Sequence, residues 1–163
     1  GKIVIHHSPL NRKSLPMRIS VPSDGEVGGT PTPRKDSVAS VRMAAATWIA
    51  AMSGEWLADL QLARFRNNPA NQGKVCRDGL WEFSRHPNYF FEWLHWFTYV
   101  LLGLGAPWWW ITPLGAALMG ASLAWVTGIP FVEAQSLRTR GEAYREYQRR
   151  TNAFFPWFPR SVP

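Results

Sequence analysis

The sequence predicts an all-α fold built on an integral membrane helical hairpin with flanking cytosolic amphipathic helices. Three observations predict it. The chain is strongly apolar between Tyr89 and Val132, with only short breaks, and basic residues crowd both flanks of that stretch. Its 163 residues include 10 Trp and are 14% aromatic, and the formal net charge is +7. High aromatic content on a short basic chain is typical of a protein at a membrane interface.

The first 40 residues are predicted to be disordered, or not to belong to the domain that follows. Pro, Ser, Gly and basic residues dominate residues 1–40, and no apolar period is sustained there. The run Ile3-Val4-Ile5 is too short for the apolar core of a signal peptide. His6 and His7 have no further donor residues nearby, so no metal site is expected. We therefore place the folded, membrane-embedded domain at residues 41–159.

A first helix is predicted from Val41 to about Arg66. The segment 43–52 is apolar, and Glu55 and Asp59, four residues apart, then share one helix face. These acids either belong to a site or are solvated at the end of a membrane or interfacial helix, and the sequence leaves both interpretations open. A basic loop with Asn-Pro and Gln-Gly turn signals follows the helix.

A polar seam runs along the next predicted helix, which begins near Pro87. Proline has its φ preset and no N–H to lose, so it suits the first helical position. At about 100° per residue, one stripe of this helix collects the polar side chains Arg85, Asn88, Glu92, His95 and Tyr99. A carboxylate such as Glu92 is costly inside an apolar helix unless it faces a partner or a wet cavity. The seam therefore predicts a site, with snorkelling charges at headgroup level as the alternative for its first residues.

Two membrane spans are predicted, near residues 89–106 and 108–132, each close to the roughly 20 residues that a bilayer core demands. The apolar stretch is broken by the segment Gly103-Leu-Gly-Ala-Pro107, which carries no charged residue. Because basic residues lie on both outer flanks, the positive-inside rule puts both ends of the hairpin in the cytoplasm. The three consecutive tryptophans 108–110 would then lie at the far interface. A buried helical hairpin in a soluble protein is the alternative.

The C-terminal segment is predicted to complete a pocket on the cytosolic face. Glu133 follows the second span, and a basic helix then runs from Ala134 to about Arg150. Within it, Tyr144 and Tyr147 are three residues apart and can point the same way. Arginines and a helix start can hold phosphate groups, while tyrosines can stack on a ring. An amphipathic helix lying on anionic lipid is the alternative for this segment.

Familiar nucleotide-binding and nucleic-acid-binding motifs do not occur in the sequence. Neither GxGxxG nor a P-loop is found, so a dinucleotide would have to be bound by helices. Nucleic acid is not an expected partner, because the basic charge lies beside apolar segments and no recognition-helix module occurs.

Several of these motifs together resemble one known family. The matching elements are Gly79-Leu-Trp81, Ser84-Arg-His-Pro-Asn-Tyr-Phe-Phe-Glu92, Gly128-Ile-Pro130 with Glu133, and Gly141-x-x-Tyr144-x-x-Tyr147 followed by Thr151 and Phe155-Pro156. In this combination the chain resembles the C-terminal part of the steroid 5α-reductase superfamily, and within it the poorly characterised bacterial membrane proteins. The resemblance covers about residues 41–159. It implies the C-terminal half of a multispanning fold in a bacterial inner membrane, with the cofactor site facing the cytoplasm.

The resemblance implies a membrane oxidoreductase that reduces a C=C bond of a lipid or steroid-like enone by hydride transfer from NADPH. Reductases of the superfamily typically carry an acid three residues after the Asn-Tyr pair, as Glu92 follows Tyr89, whereas its methyltransferases tend to carry a small or apolar residue there. The substrate would be a lipid-soluble small molecule in the bilayer. Two rival functions remain: an S-adenosylmethionine-dependent methyltransferase of a lipid-linked acceptor, and a non-catalytic membrane fragment or anchor.

By the same resemblance, Tyr89 and Glu92 are expected to be catalytic, polarising the carbonyl oxygen. The residues expected to bind the cofactor are Asp59, Gln61, Arg66, Arg85, His86, Asn88, Glu133, Tyr144 and Tyr147. Leu62 departs from the pattern, because sterol reductases often carry lysine at that place. Full-length members also carry further membrane helices upstream, so we expect little or no turnover from these 163 residues alone.

Overall fold

A computed structural model describes residues 35–161, and this part of the chain is all-helical, as the sequence predicts. The helices are α1 (Lys35–Asn67), α2 (Leu80–Phe83), α3 (Pro87–Gly103), α4 (Thr112–Ala121), α5 (Ile129–Arg140) and α6 (Glu142–Arg150), with 3₁₀ turns at Pro69–Asn71 and Trp109–Ile111 and a π turn at Ser122–Val126. Helix α1 begins six residues before the predicted start at Val41. The rest of the segment 1–40 lies outside the described residues.

Helices α1 and α3 lie side by side in opposite directions, and small residues let them approach closely. Ala44, Ala51 and Ala58 recur every seventh residue of α1 and are almost fully buried. At Gly54, an added Cβ would overlap the ring of Phe91 on α3. This close packing brings the polar face of α3 against the acids of α1.

Helices α3 and α4 form the predicted hairpin of helices, and tryptophans of α3 fill the contact. The indole Nε1 of Trp93 donates to the carbonyl of Ala116 at 2.9 Å, and a Cβ at Gly120 would lie 2.7 Å from that nitrogen. Helix α3 ends at Gly103, three residues before the predicted end of the span. The chain then turns through Gly105, whose φ of +88° is a conformation that glycine adopts without strain.

One helical stretch of the described residues, Trp109–Arg140, is long and apolar enough to cross a bilayer. It is not straight, because it contains the π turn and a break at Gly128, where a Cβ would lie 2.6 Å from the carbonyl oxygen of Leu123. Helix α3 has 17 residues and so spans only about 25 Å, somewhat less than a bilayer core of about 30 Å. The predicted two-span topology therefore stays a prediction.

The start of α3 is held by helices α2 and α6 and by the C-terminal tail. Trp81 on α2 donates its indole N–H to the carbonyl of Ala58 at 2.9 Å, and the Arg85 amide donates to the carbonyl of Asn152 at 2.9 Å. Phe154 and Phe155 of the tail pack edge-on against the aromatic rings at the start of α3. The tail is therefore partly a packing element of this end of the molecule.

Candidate functional site

A cavity of about 290 Å³ opens where α1, α3, α5 and α6 meet, and we call it the first cavity. Most of the residues predicted to form a site line it: Asp59, Arg66, Arg85, His86, Asn88, Tyr89, Tyr144 and Tyr147. These residues come from positions as far apart as 59 and 147 of the sequence, and the fold brings them to one place. These residues therefore share one cavity at the start of α3.

Aromatic rings form one wall of the first cavity. The rings of His86 and Tyr89 are parallel within 6° with centroids 5.5 Å apart, and His86 is only 3% exposed. Gly128 makes room for this pair, because a Cβ there would lie 3.1 Å from the Tyr89 ring. The hydroxyl of Tyr89 makes no hydrogen bond within residues 35–161, so it can meet a ligand.

The hydroxyls of Tyr144 and Tyr147, the two tyrosines of α6, point into the protein. Tyr147 donates its hydroxyl to the carbonyl of Trp81, and the Ser84 carbonyl is 3.2 Å away. The Tyr144 hydroxyl lies 3.5 Å from Glu133. Burial raises the pKa of Tyr147 well above its usual range and, together with the Glu133 carboxylate, raises the pKa of Tyr144 to about 12. Both phenols are neutral at physiological pH, and they offer the cavity their rings rather than their hydroxyls.

Glu133 joins three elements behind the cavity wall, and it does not line the cavity. Arg85 Nε donates to its Oε1 at 2.6 Å, Gln148 donates to its Oε2 at 2.8 Å, and His86 Nε2 lies 3.3 Å from Oε1. Another guanidinium nitrogen of Arg85, Nη1, donates to the carbonyls of Gln148 and Thr151. Because both side chains are at most 15% exposed, this ion pair fixes the cavity wall and has little capacity left for a ligand.

Two arginines at the rim of the first cavity have no carboxylate partner among the described residues. Arg66 makes no hydrogen bond there, and Arg140 donates only to the Lys74 carbonyl at 2.9 Å and to the Thr139 hydroxyl at 3.5 Å. Both also line a third cavity of about 580 Å³, which shares Val132 and the rim with the first. The adjoining cavities therefore present unneutralised positive charge to an anionic group.

An amide and an acid face each other across α1 and α3 in the first cavity. Asn88 Nδ2 donates to Asp59 Oδ1 at 3.2 Å, so the polar seam of α3 faces the acids of α1 at this point. The Oδ1 atom of Asn88 is buried and has no hydrogen-bond partner in the described part of the chain. A buried polar atom without a partner is costly, so a donor from a ligand would be stabilised here.

Two further residues predicted to belong to this site lie elsewhere. Gln61 accepts a hydrogen bond from the Leu80 amide at 3.0 Å and packs against Gly79, so it holds the start of α2. Glu92 lies one helical turn beyond Tyr89 and lines a second cavity, between α1, α3 and α4. The helical stripe correctly predicted which face Glu92 shares with Asn88. It could not predict that the cavities along this face are separate.

Comparison with known proteins identifies the family of the chain. A family model described as "Protein of unknown function (DUF1295)" matches residues 17–151. The chain belongs to that family. No curated protein and no solved structure matches it. The DUF1295 match includes every residue that lines the three cavities, and it begins upstream of residue 41, where we place the start of the domain.

The DUF1295 chain also has cavity residues that sequence reasoning missed. Arg140 and Ser136 of α5, together with Trp81 of α2, line the first cavity. Arg140 and Ser136 are four residues apart, so a helical projection from Glu133 could have placed both on one side of α5. Trp81 carried no such signal, because its position depends on the hydrogen bond to Ala58 of a distant helix.

Proposed function

We propose that this chain supplies the cofactor-binding part of a membrane oxidoreductase that reduces a C=C bond of a lipid-soluble enone, and that it binds NADPH in the first cavity. The proposal rests on one observation: the Arg-His-Pro-Asn-Tyr element, residues 85–89, meets Tyr144 and Tyr147 of α6 in one cavity. The resemblance to the steroid 5α-reductase superfamily implies that these elements bind the cofactor. Their meeting supports the resemblance at the level of geometry.

The residues of the first cavity fit the parts of a nicotinamide dinucleotide. The unpaired Arg66 and Arg140 suit its phosphates, since guanidinium groups bind phosphate bidentately. The buried, unpartnered oxygen of Asn88 suits an N–H or O–H donor, as a carboxamide or a ribose provides. The rings of Tyr144 and Tyr147 give flat apolar surface.

When bound, NADPH supplies the hydride, and the tasks of this chain are binding, orientation and exclusion of water. Tyr89 has a hydroxyl free to donate to a carbonyl oxygen and so remains our candidate for the polarising group. The ion pair of Arg85 with Glu133 keeps the His86 and Tyr89 rings in place. These residues act by holding the cofactor and the substrate in a reactive arrangement. Such positioning is a main contribution of a protein to cofactor-dependent catalysis.

A membrane location is part of the proposal, with the cofactor site facing the cytoplasm. Large apolar side chains cover the outside of the long helical stretch, for example Leu118, Trp125 and Phe131 at 62%, 77% and 69% exposure. In water such a surface is a liability, whereas in lipid it is solvated. The arginines of α5 and α6 follow this apolar surface on one flank, as the positive-inside rule requires of a cytoplasmic end.

The proposal is tested by titrating the detergent-solubilised protein with NADPH and, separately, with S-adenosylmethionine. We expect saturable NADPH binding, weakened about 10- to 100-fold by Arg66→Gln or Arg140→Gln, because a charge-assisted hydrogen bond contributes about 1.5–3 kcal/mol. The matched controls are Arg64→Gln and Arg138→Gln, which remove exposed arginines of the same helices outside the cavities. Both controls should bind NADPH like the unmodified chain.

Two other results would replace the proposal. Binding of S-adenosylmethionine with no binding of NADPH would indicate the methyltransferase. Binding of neither, with a folded protein by circular dichroism, would indicate a non-catalytic membrane protein.

A further inference from the structure

The tail, residues 152–161, presents three large aromatic side chains to the outside of the protein. Phe155, Trp157 and Phe158 are 57%, 68% and 75% exposed. The ring of Phe158 packs edge-on against Phe83 of α2 at 5.9 Å between centroids, and the Trp157 ring lies 6.5 Å from Phe158. Exposed aromatic groups that are clustered in this way mark a binding surface.

Backbone hydrogen bonds hold these rings in place. The Trp157 amide donates to the carbonyl of Phe83 at 2.9 Å, and the Arg160 amide donates to the carbonyl of Arg150 at 2.8 Å. Two prolines of the tail, at positions 156 and 159, also restrict the backbone. Because the backbone is already ordered, binding through the exposed rings costs little further conformational entropy.

Positive charge accompanies the aromatic rings. Residues 148–161 contain three arginines and no acidic residue. Arg160 donates to Asn152 Oδ1 at 3.2 Å and has no carboxylate partner in the part of the chain that the structure describes. Arg150 pairs with Glu146 at 3.3 Å, and both side chains of this pair are more than a third exposed. Exposed ion pairs are weak, so both guanidinium groups are available to an anion. We call Phe155, Trp157 and Phe158, together with Arg150 and Arg160, the tail surface.

The tail surface lies beside the first turns of α3. Phe155 packs edge-on against Phe90 and Trp93, with ring centroids 6.1 and 5.6 Å apart. Trp93 in turn donates to the carbonyl of Ala116 on α4. In the proposed membrane location the hairpin of α3 and α4 enters the bilayer here, so the tail surface lies at the depth of the lipid headgroups. Aromatic side chains are favoured at that depth, and arginines meet phosphate groups there.

We propose that the tail surface binds the cytoplasmic surface of the bilayer. Trp157 and Phe158 lie among the headgroups, and Arg150 and Arg160 contact the phosphates of anionic phospholipids. A second copy of the chain is a poorer partner, because an isologous contact would bring the same arginines together and like charges repel. The proposal rests on the membrane location within the proposed function, but it requires neither a nucleotide nor catalysis.

Insertion of the rings is tested with a nitroxide label on single cysteines in a Cys76→Ala background, with the chain in lipid nanodiscs. Electron paramagnetic resonance compares collisions of the label with oxygen, which concentrates in lipid, and with a neutral nickel chelate, which stays in water. We expect labels at Trp157→Cys and Phe158→Cys to be shielded from the chelate about threefold or more relative to Ala143→Cys, on exposed α6. Shielding at neither position beyond that of the control would refute the proposal.

A label at Leu118→Cys, on the exposed face of α4, distinguishes failure of this proposal from failure of the membrane location. If α4 crosses the bilayer, this label collides with oxygen and not with the nickel chelate. A shielded label at 118 with water-exposed labels at 157 and 158 would overturn binding by the tail surface alone. Water exposure at all three positions would overturn the membrane location as well.

The preference for anionic lipid is tested by comparing nanodiscs of phosphatidylcholine with nanodiscs of an equal mixture of phosphatidylcholine and phosphatidylglycerol. We expect shielding of the label at 158 to increase about twofold or more in the mixture, because arginines near an anionic surface are attracted to it. High salt should reverse the increase by screening.

The double variant Arg150→Gln/Arg160→Gln should abolish this increase. The matched control is Arg145→Gln, which removes an exposed arginine of α6 whose partner is Glu142 at 3.5 Å, and it should keep the increase. Equal shielding in both lipids, or an increase that the double variant retains, would refute recognition of anionic lipid. Because NADPH is absent from these measurements, their outcome is independent of the titration that tests the reductase function.

Discussion

Single hydrogen bonds decide the structural roles of Tyr144 and Tyr147 on α6. The sequence predicted that Tyr144 and Tyr147 contact a cofactor, and both rings do line the first cavity. Tyr147, however, donates its hydroxyl to the carbonyl of Trp81, and the residue is only 2% exposed. The same residue is thus part of the cavity surface and a tie between α6 and α2.

Replacing the Tyr147 hydroxyl should therefore cost stability. We expect Tyr147→Phe to lower the free energy of unfolding by about 1–3 kcal/mol, because the buried carbonyls of Trp81 and Ser84 lose their donor. Tyr144→Phe is the matched control and should cost clearly less, since its hydroxyl lies 3.5 Å from Glu133 and otherwise interacts with the side chains of Ser136 and Arg85 rather than with a buried backbone carbonyl. Thermal unfolding in detergent measures both. Equal losses for the two variants would show that the Tyr147 hydroxyl is not a structural tie.

Arg85 and Glu133 show the same division between a correct location and an unforeseen role. Both were expected to contact the cofactor, and both lie at the first cavity or directly behind it. Their charges are satisfied by each other and by neighbouring groups of α6. The unpaired Arg66 and Arg140 are better placed to bind an anion, and of these the sequence predicted only Arg66.

At the scale of helices, the contact between α1 and α3 sets the geometry of both cavities. Asp59 and Asn88 meet in the first cavity, and Glu55 and Glu92 line the second, so these two acids of α1 lie opposite polar residues of α3. The small residues of α1 allow this approach. A heptad repeat of alanines is visible in the sequence, but the partner that it packs against is not.

Gly54 gives a direct test of this close approach. Alanine normally stabilises a helix interior by about 1 kcal/mol relative to glycine. At position 54 we expect the opposite, a lower unfolding temperature for Gly54→Ala, because the new Cβ overlaps Phe91 and overpacking costs about 1–3 kcal/mol. Ser53→Ala, on the exposed face, is the matched control and should not lower it.

The sign should reverse when the ring is removed. In a Phe91→Ala background, Gly54→Ala should raise the unfolding temperature, since only the helix propensity then remains. Destabilisation by Gly54→Ala of similar size in both backgrounds would mean that Phe91 is not the cause.

At the scale of the whole molecule, polar and apolar surfaces are segregated along the chain. The first cavity, the basic helices and the tail gather at one end of α3, while exposed tryptophans 108–110 lie in the turn beyond its other end. Such an arrangement suits a protein with one end in the cytoplasm and a turn at the opposite membrane surface.

This orientation is testable with single cysteines in a Cys76→Ala background. In intact bacterial spheroplasts, a membrane-impermeant maleimide should label Ala106→Cys, in the turn between α3 and α4. It should label Gln72→Cys, in the basic loop after α1, only after permeabilisation. Labelling of both positions without permeabilisation, or of neither, would contradict a hairpin that crosses the membrane with both ends in the cytoplasm.

The sequence by itself determined the helical class, the hairpin of α3 and α4 and the face on which the seam residues lie. These depend on local properties: apolar periodicity, the proline that starts α3 and the 3.6-residue repeat. Only the tertiary structure decided that Gln61 and Glu133 are held within the protein and that Arg140 joins the cavity rim. It also decided that Glu92 and Glu55 line a second cavity, apart from the first. The reason is physical: which polar group is satisfied by protein and which is left for a ligand depends on contacts between residues distant in sequence, and no local pattern records them.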